Sequence, residues 1–280
     1  MKGCICLDID GTITSDPFSI PQPVMDCFEK LYAEGWLFLF VTGRAYAFAS
    51  KLFQRMRHPF FFALQNGADL LQMPEKKQLS KEYLSGQFIP TLERLYRDLE
   101  DDFLVYSGWE SGDFCYFRPD RFSLKMKEHL EVVQSLVDEP WKSVDDFAFL
   151  ETESFPLIKS LGSLEQMRQL NQRLNQIPDI HATCIQDPLA RGKIYLNLIT
   201  AAKATKGDVL EKMRERLPKG SILIAAGDDF NDISMLKESD FAIAMKNAPA
   251  ELIELADLIA EPADKMGIIE ALLKATGSVK

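Results

Sequence analysis

Four short groups of polar residues stand where a buried apolar run ends or a predicted helix begins. Residues 8–12 (DIDGT) carry two carboxylates two positions apart, and an extended chain presents such side chains to the same side. Residues 42–43 (TG) add a hydroxyl and an open amide, Lys206 adds a cation at a helix start, and residues 227–232 (GDDFND) add further carboxylates. Carboxylate oxygens are suited to a hard cation such as Mg²⁺, and a cation at a helix N-terminus favours an anion. These groups therefore predict a site for a metal ion and an anion.

Strands and helices alternate at both ends of the chain, and this alternation has to bring the four groups together. The predicted strands are residues 4–7, 36–41, 60–64, 221–226, 241–244 and 258–260. Helical spacing of apolar residues separates them, for example at 23–34 and 206–216. This order predicts an α/β fold with a doubly wound, mostly parallel, Rossmann-like sheet, in which ligands bind beyond the carboxyl ends of the strands.

The middle of the chain has shorter apolar runs that alternate with three helical patterns. These helical patterns lie near 90–99, 124–136 and 164–174. This pattern of short apolar runs and helices predicts an inserted α+β domain with a mostly antiparallel sheet at 82–192. Residues 1–81 and 193–280 then form the core domain.

Composition limits the classes of partner. The chain has 280 residues, and Lys+Arg 32 against Asp+Glu 42 gives a net charge of −10 and a pI near 5.0. A net anion is repelled by nucleic acid and by anionic membranes, so we expect neither as a partner. No apolar run approaches the roughly 18–20 residues of a membrane span, and no signal peptide is recognisable. The five cysteines form no C-x-x-C pair, which favours buried free thiols in a reducing compartment and a cytoplasmic protein.

Taken in order, the polar groups resemble a known set of motifs. They stand as 8–12 (DIDGT), Thr42 within VTGR, 66–68 (NGA), 206–207 (KG) and 227–236 (GDDFNDISML). The chain resembles the haloacid dehalogenase (HAD) superfamily of phosphohydrolases, and within it the Cof-type group with a C2B cap. The resemblance covers the whole core domain. It implies a HAD core with a C2-type cap inserted between Asn66 and Lys206.

The resemblance also implies roles for individual residues. Asp8 would be the nucleophile that forms an aspartyl-phosphate, and Asp10 the general acid and then the general base. Mg²⁺ would bind the side chains of Asp8 and Asp228 and the backbone carbonyl of Asp10, with Asp232 acting through a water molecule. The groups expected to hold the phosphoryl oxygens are Thr42, Gly43, Lys206 and Asn231.

The cap would decide which phosphate ester enters the site. Candidate substrate contacts are Arg44, Asn66, Gly67, Arg118 and Arg191, with Lys193 as a further cation of the cap. Alternatively, Arg118, Arg191 and Lys193 are solvated charges, and Arg44 pairs with an acidic neighbour. The three histidines match no metal spacing and are expected to be surface or packing residues.

The function expected from these features is a Mg²⁺-dependent phosphatase that acts on a small phosphorylated metabolite. A sugar phosphate, or a similar polyol or cofactor phosphate, is the expected substrate class. Two alternatives remain at this stage: a phosphomutase with the same covalent chemistry, and a non-catalytic protein that binds a phosphorylated ligand. The protein is expected to be a monomer or a weak homo-oligomer.

Overall fold

The structure is a computed structural model that describes residues 1–137, 139–190 and 192–278. The chain forms two compact units. The core unit comprises residues 1–42, 51–81 and the chain from 205 onward, and the insert unit comprises 43–50 and 82–204. Among the described residues, no helix combines the length and the apolar character needed to cross a bilayer.

The core unit is built on one sheet, which has eight strands in the described chain, in the order β16-β15-β14-β1-β2-β3-β4-β5. The six strands from β16 to β3 run parallel, whereas β4 and β5 are antiparallel additions at one edge. The strands are β1 (Gly3–Asp8), β2 (Trp36–Val41), β3 (Phe60–Leu64), β4 (Asp69–Met73), β5 (Lys77–Lys81), β14 (Ile222–Gly227), β15 (Phe241–Met245) and β16 (Leu258–Ala260). The predicted doubly wound, mostly parallel sheet is confirmed.

Burial explains why the apolar runs of this unit become strands. Every residue of β1 is buried, as a central parallel strand covered on both faces requires. The helices of the unit are α1 (Gln22–Ala33), α6 (Lys206–Arg216), α7 (Ile233–Lys237), α8 (Ala250–Ile253) and α9 (Ile268–Ser278). Helix α6 begins sharply because the Thr205 side chain accepts from the Asp208 amide in a capping box, which leaves Lys206 as the first helical residue.

The insert unit is an α+β domain with a mostly antiparallel sheet, as the sequence predicts. In the described part of the chain this sheet has six strands, in the order β12-β13-β11-β7-β8-β9, and only β8 and β9 pair in parallel. The strands of the unit are β6 (Leu84–Ser85), β7 (Phe103–Tyr106), β8 (Cys115–Phe117), β9 (Trp141–Ser143), β10 (Ser154–Phe155), β11 (Leu157–Gly162), β12 (Ile180–Gln186) and β13 (Tyr195–Ala201). Its helices are α2 (Tyr46–Ala49), α3 (Ile89–Tyr96), α4 (Leu124–Leu136) and α5 (Leu164–Leu174).

Two segments lie in the insert unit although the sequence analysis places them in the core domain. Strand β13 lies beyond residue 192 but pairs along its length with β11 and β12. The segment 43–50, which includes α2, also joins the insert unit, although it directly follows the core residue Thr42. Both assignments depend on partners far away in sequence, which a local apolar pattern does not reveal.

Candidate active site

The carboxyl end of β1 carries the first acidic group. Asp8 is the last residue of β1, which lies between β14 and β2 in the sheet. The chain then turns tightly, because the Ile9 carbonyl accepts from the amide of Ile13 at 3.1 Å, and the Gly11 amide donates to the Thr14 carbonyl at 2.9 Å. Gly11 is in the left-handed region at φ +83°, where glycine is favoured. The turn thus places Asp8 and Asp10 at one end of the sheet.

A buried lysine lies between two carboxylates. Lys206 Nζ donates to Asp8 Oδ1 at 2.5 Å and to Asp232 Oδ1 at 2.6 Å. The second oxygen of Asp232 accepts from the amides of Asp228 and Asp229 at 2.9 and 3.1 Å. Asp232 therefore holds both the cation and the loop after β14, and its two oxygens are engaged within the protein.

Three aspartates form a candidate cation site. Asp8, Asp228 and Asp232 each offer a carboxylate oxygen, and these atoms lie within 4.8 Å of one another. Thr12 Oγ1 donates to Asp228 Oδ1 at 3.1 Å, which orients this carboxylate. Hard oxygen donors at this spacing fit Mg²⁺. Asp8 and Asp228 fit a direct ligand role, whereas the occupied oxygens of Asp232 fit a role through water.

Burial and the neighbouring carboxylates raise the pKa values of two of these aspartates, Asp8 and Asp228. The pKa of Asp8 is raised to about 7, chiefly by burial; Asp232 and Asp10 also raise it, and Lys206 lowers it. Burial and the charge of Asp8 also raise the pKa of Asp228 well above its ordinary value. Burial opposes the charge of Lys206, but Asp232 and Asp8 outweigh it and raise the lysine pKa. The site is therefore short of positive charge, as expected of a site that takes up a metal cation.

Hydrogen bonds link the residue that follows β2 to the loops after β3 and β14. The Thr42 amide donates to the Ala63 carbonyl at 2.9 Å, and the Thr42 carbonyl accepts from the Asn66 amide at 2.8 Å. Asn231 Nδ2 donates to Asn66 Oδ1 at 3.2 Å. Thr42, Asn66 and Asn231 are thus linked within the core unit, whereas Gly43 is the first residue of the insert unit.

Comparison with known proteins identifies the family. The sequence model of the haloacid dehalogenase-like hydrolases matches residues 5–272, nearly the whole chain. The chain belongs to this family. It is 24% identical over 273 residues to the 5-amino-6-(5-phospho-D-ribitylamino)uracil phosphatase YbjI of Escherichia coli (strain K12), a match that covers 96% of this chain and 94% of that protein. The resemblance to the HAD superfamily is confirmed, and the family and its relatives support the prediction that the chain is a phosphatase enzyme.

Solved structures of HAD proteins share the fold. A haloacid dehalogenase-like hydrolase from Bacteroides thetaiotaomicron superposes with a TM-score of 0.76 at 21% identity, covering 98% of this chain and all of that chain. The HAD subclass IIB sugar phosphatase BT4131 superposes with a TM-score of 0.77 at 20% identity, covering 98% of this chain and 99% of that chain. These likenesses confirm the fold class.

Arg118, a candidate substrate contact of the insert unit, has partners within that unit. Arg118 is buried and donates through Nε and Nη2 to both oxygens of Asp102, at 2.7 and 2.8 Å, and through Nη1 to Glu93 at 2.5 Å. Its guanidinium also lies 4.3 Å from the centre of the Phe147 ring. This arrangement, in which three nitrogen atoms donate to two carboxylates, favours a structural role for Arg118 over contact with a substrate.

The remaining candidates of the insert unit differ in their surroundings. The Arg44 guanidinium is buried, lies 4.1 Å from the centre of the Phe48 ring and acts electrostatically on Glu139. This pairing is the alternative that the sequence leaves open for Arg44. Lys193 is exposed, and Arg191 lies outside the described residues.

Two further residues of the core unit support the site without having been assigned a role from the sequence. Thr12 orients Asp228, as described above. Ser234 Oγ accepts from the Gly207 amide at 3.0 Å, which fastens the first turn of α6 to α7 beside Lys206. Both residues lie within recognised motifs, but their partners are more than 20 positions away. The sequence therefore offers a signal for their position but none for their role.

Proposed function

We propose that this HAD-like protein is a Mg²⁺-dependent phosphatase that hydrolyses a small phosphorylated metabolite through an aspartyl-phosphate intermediate. The observation that carries the proposal is the cluster of Asp8, Asp228 and Asp232, in which Lys206 donates to the two buried members, Asp8 and Asp232. Such a cluster combines a carboxylate nucleophile with a hard cation site at the carboxyl end of a parallel sheet.

In the first step, an Asp8 oxygen forms a bond to phosphorus while the bond from phosphorus to the leaving oxygen breaks. Asp10 gives a proton to that leaving oxygen, so the product is a neutral alcohol. In the second step, Asp10 takes a proton from water, and the resulting hydroxide attacks phosphorus. The bond between Asp8 and phosphorus then breaks, which frees the carboxylate and inorganic phosphate.

The metal would be held by the side chains of Asp8 and Asp228, by the Asp10 backbone carbonyl, and through a water by Asp232. When bound, Mg²⁺ supplies positive charge that offsets repulsion between the carboxylate nucleophile and the anionic phosphate. The phosphoryl oxygens would be held by Thr42, Gly43, Lys206 and Asn231. Lys206 supports this role because its charge already lies beside the nucleophile, at 2.5 Å from Asp8 Oδ1.

For the substrate we propose a sugar phosphate or a similar polyol phosphate. The names of two relatives motivate this class: one acts on a phosphate carried by a ribityl chain, and the other is a sugar phosphatase. The five cysteines, all within the described residues, are free thiols, which supports the proposed cytoplasmic location.

The test is phosphate release by purified protein from 4-nitrophenyl phosphate and from a panel of sugar, polyol and nucleotide phosphates. We expect release with Mg²⁺, none with EDTA, and a loss of at least about 10³-fold in kcat for Asp8→Asn. Asp69→Asn is the matched control, because Asp69 is a buried aspartate of the same unit that binds Gln78 instead of the acidic cluster. Release that persists in EDTA, or in Asp8→Asn, would contradict the mechanism.

A further inference from the structure

The turn between β3 and β4 has an unusual backbone. Gln65, Asn66 and Gly67 follow one another at φ values of +50°, +60° and +103°, all in the left-handed region. Two of the three are not glycine, and both of these side chains are buried. Residues in this region persist when surrounding contacts over-determine them, and they cluster at functional sites. We call residues 65–67 the left-handed turn.

The left-handed turn makes contacts in three directions within the core unit. The Asn66 amide donates to the Thr42 carbonyl at 2.8 Å, beyond the end of β2. Asn66 Oδ1 accepts from Asn231 Nδ2 at 3.2 Å. A Cβ on Gly67 would lie 2.4 Å from Val209 Cγ2 and 2.9 Å from the Thr205 carbonyl oxygen, so this glycine packs directly against the start of α6.

These contacts reach three elements that carry proposed phosphate-binding groups: the end of β2 with Thr42, the loop after β14 with Asn231, and the first turn of α6 with Lys206. An extended or right-handed backbone at Asn66 would not present its amide and its side chain to these same two partners. The left-handed conformation therefore has a reason in the site, because it aims both groups of one residue at two different phosphate-binding residues.

We infer that Asn66 is a positioning residue, which sets Asn231 and Thr42 at the spacing that grips a phosphoryl group, rather than a contact of the leaving group. The inference rests on the proposed function. From the sequence, Asn66 is expected to contact the substrate. With its side-chain oxygen bound to Asn231, the proposed positioning role does not require that contact.

Asn66→Gly isolates the role of the side chain. Glycine adopts the left-handed backbone freely and keeps the amide that binds Thr42, so the variant removes the side chain with its acceptor for Asn231 and leaves the backbone contact. We expect a loss of about 10-fold both in affinity for inorganic phosphate in the presence of Mg²⁺ and in kcat/KM for 4-nitrophenyl phosphate. Lys76→Gly is the matched control, because Lys76 is an exposed left-handed residue at φ +54° in the next hairpin. We expect Lys76→Gly to behave as wild type.

A double-mutant cycle separates positioning from a general structural effect. If Asn66 acts through Asn231, then Asn66→Gly combined with Asn231→Ala has the same phosphate affinity and kcat/KM as Asn231→Ala alone, within about 2-fold. Full additivity of the two losses would overturn the inference, as would wild-type behaviour of Asn66→Gly. If the wild type releases no phosphate from any ester, the proposed function is wrong, and the affinities for inorganic phosphate then decide the inference by themselves.

Discussion

In each unit of the protein a buried cation donates to two carboxylates, and the two clusters differ in their balance of charge. In the insert unit, Arg118 engages both oxygens of Asp102 and one of Glu93, and its guanidinium faces an aromatic ring. In the core unit, Lys206 donates to Asp8 and Asp232, and a third carboxylate, Asp228, has an oxygen within 4.8 Å of theirs.

The difference lies in the balance of charge and donors. Three N–H groups of Arg118 donate to two carboxylates, so each acid of this cluster is hydrogen-bonded to the cation. The Lys206 ammonium supplies one positive charge to a cluster of three aspartates. Burial and the nearby carboxylates accordingly raise the pKa of Asp8 to about 7. The paired Arg118 cluster therefore fits a structural role, and the cluster that is short of positive charge fits the proposed chemistry.

The largest effect is expected for Lys206→Met. The change removes the cation beside Asp8, so we expect kcat for 4-nitrophenyl phosphate to fall by about 10²–10³-fold. Loss of the buried partner should also lower the free energy of unfolding by about 3–5 kcal/mol. Steady-state kinetics and urea unfolding measure the two effects. Lys237→Met, at an exposed lysine that ends α7, is the control, and retention of a tenth of the wild-type kcat in Lys206→Met would refute the comparison.

The matching change in the insert unit is Arg118→Met. It should lower the free energy of unfolding by a similar amount, about 3–5 kcal/mol, because Asp102 is left buried without its partner. The kcat of the folded protein should change by less than about 3-fold, since this cluster takes no part in chemistry. Arg121→Met, at an exposed arginine three residues on, is the control. A large loss of kcat without loss of stability would instead restore Arg118 as a substrate contact.

A third change probes the crowding of the acids. A Cβ on Gly11 would lie 2.1 Å from Asp228 Oδ2, so Gly11→Ala must displace this carboxylate. We expect the Mg²⁺ concentration for half-maximal activity to rise by about 10-fold. Gly35→Ala separates this effect from backbone strain, because Gly35 is also left-handed, at φ +97°, but its nearest neighbour lies 4.0 Å away. Equal Mg²⁺ requirements in the two variants would show that crowding at Asp228 is unimportant.

The smallest expected effect concerns Asp113, a carboxyl group with a raised pKa that takes no part in the proposed chemistry. In the insert unit, the pKa of Asp113 is raised from 3.8 to about 6, chiefly by burial. The hydrogen bond from the Ala47 amide and the charge of Lys159 lower this pKa, and Glu139 raises it. A raised folded-state pKa means that this carboxyl favours folding at low pH and loses that contribution as the pH rises from about 4 to 6.

Asp113→Asn removes this titration and keeps an oxygen for Ala47. The free energy of unfolding of the variant, minus that of the wild type, should therefore increase by about 3 kcal/mol between pH 4 and pH 7. Above pH 7 this difference should remain constant. Urea unfolding at several pH values measures the difference. A constant difference across this range would contradict the assignment, and kcat at pH 7 should stay unchanged.

Most of the core unit could be predicted from the sequence because its signals are local. Continuous apolar runs are typical of strands buried on both faces, and the Asp8 and Thr42 groups fall at the ends of such runs. For the insert unit, the sequence predicts the α+β class but not the order in which the strands pair. Its sheet joins strands that are far apart in sequence, such as β8 with β9 and β11 with β13, and no apolar period encodes that pairing.

The sequence by itself determined the fold class, the family and the positions of the chemically competent groups, because these depend on residue type, order and local period. Only the tertiary structure decided which charges are neutralised. The sequence does not distinguish Arg118 from Lys206 by their acidic partners, but folding pairs the first with two carboxylates and places the second among three. The physical reason is that hydrogen bonds and Coulomb interactions act over a few ångströms, and distances between residues 102 and 118, or 8 and 206, are set only when the sheets form.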